Sequence, residues 1–285
     1  MKDTIRLIEC PRDAMQGWKN IISTAKKIEY INALLQVGFD TIDFGSFVSQ
    51  KAIPQMADTK EVISQLSLVN SRTKLLAIVA NVRGAEEAVV FDKITYLGFP
   101  FSVSKTFQQR NTNSSPEESL DRVEEIQELC IKNNKQLVIY ISMGFGNPYG
   151  DGYNEEIVMH WVDKITTLGI KIISMADTVG LATPAQVSSI LNKLIPQYVD
   201  IEIGVHLHST ATNRKQKIDA ALQADCKRFD GALKGIGGCP MANDELVGNI
   251  NTEFMIPFFE EKDLLPGINK YALQHAMNLA DIMFI

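Results

Sequence analysis

The 285-residue sequence contains only four histidines, and it has no long apolar run and no cluster of basic residues. No apolar stretch reaches the roughly 18 to 20 residues of a membrane-spanning helix, and the first ten residues do not resemble a signal peptide. The net charge of -6, without a lysine- or arginine-rich stripe, argues against binding to nucleic acid or to anionic membranes. We therefore expect a soluble, cytoplasmic protein that acts on a small molecule.

The four cysteines are far apart and form no C-x-x-C motif; they are Cys10, Cys130, Cys226 and Cys239. This spacing is typical of free thiols in a reducing compartment and not of a disulfide framework. Cys10, Cys130 and Cys226 lie in or next to apolar segments, so we expect them to pack in the core. Cys239 lies in the glycine-rich stretch G-I-G-G-C-P, where it is either a buried apolar residue or a mobile thiol that acts as an acid. The loop glycines favour the second interpretation.

The sequence also lacks the G-x-G-x-x-G turn of a dinucleotide-binding fold, although apolar runs typical of strands alternate with helical segments throughout the chain. Eight runs are typical of strands: 4–10, 41–46, 74–80, 94–101, 136–143, 171–177, 201–208 and 228–235. Helical periodicity is found at 27–37, 117–133, 155–168, 185–195, 213–224 and 269–281. Eight βα units in this length predict an α/β fold, a closed (β/α)8 TIM barrel over 1–285 with a short C-terminal helical extension. An open doubly wound sheet is the alternative.

Polar side chains occur at the carboxyl ends of the predicted strands, which is where the active site of a TIM barrel lies. The residues in these positions are Arg12, Asp13, Asp43, Asn81, Asp177, His206 and His208. We expect them to meet at one mouth of the barrel, and we expect Asn81 and Tyr140 to contact the substrate together with Arg12.

Two of the four histidines, His206 and His208, lie one residue apart at the end of a predicted strand. Side chains two apart in a strand point to the same face, so the two imidazoles share that face. They are either polar residues where a strand leaves the core or ligands of one metal ion. With Asp13 from the first strand they form a mixed oxygen and nitrogen set that suits Mg2+, Mn2+, Fe2+ or Zn2+.

Arg12 is adjacent to Asp13 and allows two interpretations. At an arbitrary position the pair would be a surface ion pair. Just past a barrel strand, however, a guanidinium lies over the site and could stabilise an oxyanion or enolate, since it never loses its charge.

Several motifs resemble those of the hydroxymethylglutaryl-CoA lyases, which belong to the metal-dependent lyase and Claisen-condensation barrels. The motifs are P-R-D-x-x-Q at 11–16, S-F-V-S-x-K-x-x-P-Q-M at 46–56, A-D-T-V-G at 176–180, V-H-L-H at 205–208, G-I-G-G-C-P-M-A at 235–242 and G-N-I-N-T-E at 248–253. The resemblance extends over nearly the whole chain in the same order. The second motif and G-G-C-P are its specific parts, whereas R-D and H-x-H are shared across the superfamily.

The resemblance implies cleavage of 3-hydroxy-3-methylglutaryl-CoA to acetyl-CoA and acetoacetate, an activity of leucine degradation and ketone-body formation, with Mg2+ or Mn2+ as cofactor. It implies an acyl-CoA substrate and a homodimer. It further implies that the metal is bound by Asp13, His206, His208 and Asn249. The residues to which it assigns catalytic roles are Arg12, Cys239, Asp43 and Asp177, the last as an acid/base or substrate-orienting carboxylate.

The sequence departs from that family at several positions near the predicted site. Ala14 replaces a glycine, Asp43 stands where the family has a glutamate, Lys105 replaces an acid and Ser209 replaces an aspartate. The acyl pocket is therefore expected to differ from that of the family. Two alternatives stay open: a related synthase or aldolase acting on a 2-keto acid or another 3-hydroxy acyl substrate, and a binding protein that retains the barrel without turnover.

Overall fold

The computed structural model describes residues 4–238, 247–265 and 267–285. The barrel strands β1 to β8 are Arg6–Glu9, Thr41–Ser46, Lys74–Ile78, Ile94–Ser102, Gln136–Ser142, Ile172–Ala176, Glu202–His206 and Arg228–Gly231. The helices α1 to α11 are Pro11–Gln16, Thr24–Leu34, Thr59–Gln65, Val82–Val89, Lys105–Thr112, Pro116–Lys132, Glu155–Thr167, Pro184–Gln197, Arg214–Gln223, Thr252–Glu260 and Lys270–Met283. Two short 3-10 turns span Pro54–Met56 and Leu233–Gly235.

All eight strands are parallel and form a closed barrel in sequence order. The closure is made by β1, in which Ile8 pairs with Thr41 of β2 on one side and with Asp230 of β8 on the other. The predicted TIM barrel is confirmed, and the open doubly wound sheet is excluded because such a sheet would leave two strand edges unpaired.

Most strand bounds agree with the apolar runs, but β8 is shorter than expected. It ends at Gly231 rather than at residue 235, since the chain turns at Leu233–Gly235, where Lys234 has a φ of 65°. The Leu233 N–H donates to Glu9 Oε1 over 2.8 Å. This hydrogen bond holds the turn against β1.

The longer helices have the sequence signals that predict them. At α6, Ser115 accepts a hydrogen bond from the Glu118 N–H, and the Glu118 carboxylate accepts one from the Ser115 N–H, so the two residues form a capping box before Pro116. The helices pack their apolar faces on the outside of the sheet. A second apolar cluster fills the barrel interior; it comprises Leu76, Ile78, Tyr96, Val138, Tyr140 and Ile172.

The C-terminal extension is the helix α11, which packs against α2. Phe284 at its end contacts Trp18 and Tyr30 edge to face, with ring centroids 5.3 and 6.2 Å apart. The helix therefore covers the outside of the barrel beside β1. None of the described helices is long and apolar enough to cross a membrane.

Candidate metal centre and active site

Arg12 and Asp13 lie in the first turn of α1, which begins directly after β1 at Pro11. Proline suits this position because its fixed φ matches the helix and its missing N–H is not needed there. The turn is buried, with Arg12 8% and Asp13 6% exposed. The two side chains are consequently held at the carboxyl end of the barrel.

Asp13, His206 and His208 each contribute an oxygen or nitrogen atom to one group, and these atoms all lie within 4.8 Å of one another. His206 is the last residue of β7, and His208 follows it. Asn249 lies beside these three residues because residues 248–250 pair with the segment that follows β7. Ser209 N donates to Gly248 O over 2.9 Å, and His208 and Asn249 form an antiparallel bridge. The structure thus brings together all four residues that the sequence proposes as ligands.

Several buried polar atoms in this group lack partners among the described residues. Within that part of the chain, neither ring nitrogen of His208 has a hydrogen-bond partner of good geometry, and the same is true of the side-chain oxygen of Asn249. The Asn249 amide nitrogen, in contrast, donates to Asp13 Oδ2 over 2.6 Å and to Ile236 O over 2.9 Å. Buried polar atoms without partners are costly. A carboxylate, two imidazoles and an amide oxygen form a donor set that fits a divalent ion and compensates this cost.

The charges of the group also suit a cation. Burial would raise the pKa of Asp13, but the charge of Arg12, joined in acid by the protonated histidines, lowers it to about 2. Burial and the neighbouring His206 lower the pKa of His208 to about 4, so its imidazole is neutral at pH 7. Metal ligands must be deprotonated in this way.

We expect His208→Ala to weaken Mn2+ binding by more than the roughly 10- to 100-fold that loss of an outer hydrogen-bond partner of a metal ligand typically costs. Isothermal titration calorimetry with Mn2+ measures the affinity. His160, exposed on α7, provides the matched control, and His160→Ala is expected to bind as the unmodified chain does. Unchanged binding in His208→Ala, Asp13→Ala and His206→Ala alike would remove the proposed metal site.

Arg12 is fixed by two carboxylates. Its Nε and Nη2 atoms donate to Asp43 Oδ2 over 3.0 and 2.5 Å, and its Nη1 donates to Asp13 Oδ1 over 3.1 Å. Burial raises the pKa of Asp43 to about 6, although the charge of Arg12 opposes this change. The planar guanidinium links α1 to β2 through these contacts, so its orientation does not depend on the substrate.

Asp177 follows β6 and forms a buried ion pair with Lys217 of α9. Lys217 Nζ lies 2.7 Å from Asp177 Oδ2, and both side chains are 0% exposed. The same ammonium donates to His208 O over 2.7 Å, while Asp177 Oδ1 accepts from the Ala182 N–H over 3.0 Å. Both oxygens of Asp177 are therefore engaged, and the ion pair holds the backbone of His208.

A cavity of about 360 Å3 opens above the group, and Arg12, Asp13, His206 and His208 form part of its lining. The predicted substrate contacts Asn81 and Tyr140 also line it. Asn81 caps α4 through its side-chain oxygen, which accepts from Gly84 N over 2.9 Å and leaves its amide nitrogen to a ligand. The Tyr140 hydroxyl is buried, and no residue in the described part of the chain forms a hydrogen bond with it. Arg110, exposed on α5, adds a second guanidinium to the described lining.

Cys239 lies outside the described residues, so its proposed role stays a prediction. The other three cysteines are free and buried, as expected. Sequence reasoning missed two charged residues beside the candidate metal centre: Lys217 and Asp230, the latter in β8. The signal for Asp230 was available, because R-F-D places two charged residues in a barrel strand.

Comparison with known proteins agrees with this geometry. The HMGL-like family model matches residues 5–282. The cytoplasmic 3-hydroxy-3-methylglutaryl-CoA lyase of Rattus norvegicus is 31% identical over 277 residues, which cover 97% of this chain and 80% of the relative. The (R)-citramalyl-CoA lyase of Chloroflexus aurantiacus is 30% identical over 273 residues, covering 92% and 85%.

A solved structure, described as an HMG-CoA lyase from Acinetobacter baumannii in complex with coenzyme A and 3-methylmalate, superimposes with a TM-score of 0.91. It is 31% identical, and the match covers 99% of this chain and 92% of that one. This chain belongs to the HMGL-like family.

Proposed function

We propose that the chain is a divalent-metal-dependent lyase that breaks a carbon–carbon bond in a 3-hydroxy acyl-CoA, with 3-hydroxy-3-methylglutaryl-CoA as the first candidate substrate. The observation that carries the proposal is the convergence of Asp13, His206, His208 and the unpartnered Asn249 oxygen beside the fixed guanidinium of Arg12. A carboxylate-bearing acyl chain is further supported by Arg110 at the same cavity.

In this reaction the hydroxyl group at C3 of the acyl chain loses its proton and becomes a ketone. The bond between C2 and C3 breaks, and its electrons form the enolate of the thioester. A proton then adds to C2, which yields acetyl-CoA and acetoacetate. A divalent ion held by Asp13, His206, His208 and Asn249 would polarise the hydroxyl and a carbonyl oxygen of the substrate.

Arg12 supplies the positive charge on which the enolate oxygen depends. Asp43 holds its Nε and Nη2 atoms, so the guanidinium is oriented before the substrate binds and loses no energy in reorientation during the reaction. Asp43 thereby acts through Arg12 in this proposal.

Asp177 has an orienting role in this proposal. Its two oxygens accept from Lys217 and Ala182, and it is absent from the described lining of the cavity, which supports orientation over proton transfer. The two imidazoles of the described lining, His206 and His208, are proposed metal ligands, so a water molecule is left as the acceptor of the hydroxyl proton. Cys239 stays the proposed proton donor to the enolate, since a thiol is a much stronger acid than a serine hydroxyl.

A second candidate substrate is (R)-citramalyl-CoA, because the Chloroflexus relative is a lyase of that thioester. In both substrates C3 carries a hydroxyl and a methyl group, and they differ by one methylene between C3 and the carboxylate. Discrimination by one methylene is worth roughly 10- to 200-fold in kcat/KM. The departures at Ala14, Asp43 and Ser209 make the two substrates worth comparing directly.

The test is a mass-spectrometric assay with Mg2+ or Mn2+ and a panel of 3-hydroxy-3-methylglutaryl-CoA, (R)-citramalyl-CoA and acetyl-CoA with several 2-keto acids. We expect acetyl-CoA together with acetoacetate, or with pyruvate if the second candidate is preferred. Condensation of acetyl-CoA with a keto acid would identify a synthase instead. Binding of Mn2+ without any turnover would identify a binding protein. Light scattering of the same preparation tests the expected homodimer.

A further inference from the structure

His206 forms a hydrogen bond on the side of its ring that faces the barrel interior. Its Nδ1 atom lies 3.2 Å from Asp230 Oδ2, and the two residues are paired in register across β7 and β8. Asp230 is 2% exposed. A carboxylate in this position accepts the Nδ1 proton of a neutral imidazole, and the other nitrogen, Nε2, is then left with its lone pair free.

Arg228 is the buried positive charge nearest to Asp230. Its Nε lies 4.0 Å from Asp230 Oδ1, the arginine is 1% exposed, and its Nη1 also contacts Glu202 Oε1 over 3.4 Å. A buried carboxylate without such a partner would be strongly destabilising. The guanidinium therefore lies beside the same carboxylate whose other oxygen, Oδ2, contacts His206 Nδ1.

The neighbouring strand leaves room for this arginine. Gly204 of β7 pairs with Arg228, and a Cβ atom at position 204 would lie 2.7 Å from Arg228 Cδ and 2.8 Å from Cγ. A side chain at position 204 would therefore force Arg228 to shift from its observed position. The four residues in contact, Glu202, Arg228, Asp230 and His206, thus all lie in the paired strands β7 and β8.

We propose that Asp230, supported by Arg228, is a positioning residue that fixes the tautomer and orientation of His206 so that Nε2 faces the metal. This inference rests on the proposed metal-dependent function. Outer hydrogen-bond partners of this kind orient metal-binding histidines and raise their basicity, and their loss typically weakens metal binding by about 10- to 100-fold.

Two measurements on Asp230→Asn test the proposal. In metal-free protein labelled with 15N-histidine, at alkaline pH, NMR reports which nitrogen of His206 carries the proton. The four histidines of the chain allow assignment by single substitutions. We expect the Nδ1–H tautomer in the unmodified chain, in contrast to the Nε2–H form that neutral imidazole favours in water, and we expect this preference to be lost in Asp230→Asn. Electron paramagnetic resonance should show Mn2+ binding weakened roughly 10- to 100-fold.

Controls separate this inference from the proposed function. Asp225→Asn changes an exposed carboxylate, with 72% of its side chain accessible, just before β8 and should leave both readouts unchanged. If Asp230→Asn fails to fold because Arg228 loses its partner, the double variant Asp230→Asn, Arg228→Met removes both charges and should show the same two losses. The proposal is overturned if His206 keeps its tautomer and Mn2+ affinity in these variants. Failure of the unmodified chain to bind Mn2+ would instead contradict the proposed function.

Discussion

Arg12→Lys is expected to lower kcat by roughly 100- to 1000-fold while Mn2+ binding stays close to that of the unmodified chain. Lysine keeps the positive charge beside Asp13, so the metal centre should remain intact. It cannot form the planar contacts that Arg12 makes through Nε and Nη2 with Asp43 and through Nη1 with Asp13. The ammonium group of a flexible lysine side chain has the same charge but not this fixed geometry.

The measurement is a steady-state assay on whichever substrate the panel identifies, together with Mn2+ calorimetry. Arg83→Lys is the matched control, because Arg83 is exposed on α4 and forms only a surface ion pair with Glu87. Turnover of Arg12→Lys near that of the control would show that Arg12 does not stabilise the enolate. A loss of Mn2+ affinity as large as the loss of turnover would show that Arg12 acts through Asp13.

The second large effect is on stability. We expect Lys217→Met to lower the free energy of unfolding by about 3–5 kcal/mol, because it leaves the buried charge of Asp177 without a partner. The carbonyl oxygen of His208 loses its donor in the same variant, so Mn2+ binding should weaken as well. Urea unfolding followed by circular dichroism measures the first effect.

Lys215 on the same helix offers a matched control, since it is exposed and paired with Asp219 at i and i+4. Lys215→Met should change stability by no more than about 0.5 kcal/mol. The double variant Lys217→Met, Asp177→Asn removes both buried charges and should recover much of the loss. If Lys217→Met is as stable as Lys215→Met, the buried pair does not stabilise the fold, and if it also binds Mn2+ as Lys215→Met does, the pair does not position His208.

The barrel could be predicted because its strands are nearly continuous apolar runs separated by longer helices. The bounds of β2, Thr41–Ser46, agree with the predicted 41–46, and α6, Pro116–Lys132, agrees within one residue at each end. The bounds of the helices α1, α3, α4, α5 and α10 were not predicted. Each has only six to nine residues, which is too short for a helical period to stand out from the sequence.

Some residues of the candidate site could likewise be predicted from the sequence, and others could not. Asp13, His206 and His208 could be placed together because the carboxyl ends of barrel strands converge. Asn249 was implied only by resemblance, and local chemistry alone would have made it a cap, a role that the structure gives to Asn251 instead. The burial of Lys217 could not be predicted, because R-K-Q-K at 214–217 is typical of a solvated helix face. Only the packing of α9 against the strand ends buries one of its lysines.

The burial of the cysteines has a consequence for covalent labelling. Cys10 and Cys226 are each 0% exposed, and burial raises the pKa of both thiols, that of Cys226 to about 12. Cys130 is equally buried, and its pKa is also raised to about 12. Alkylating reagents need an accessible thiolate, so these three cysteines are expected not to react in the native chain. Any adduct that intact-mass analysis finds on the native protein can therefore be attributed to position 239 without removing another cysteine first, whereas unfolded protein would accept four.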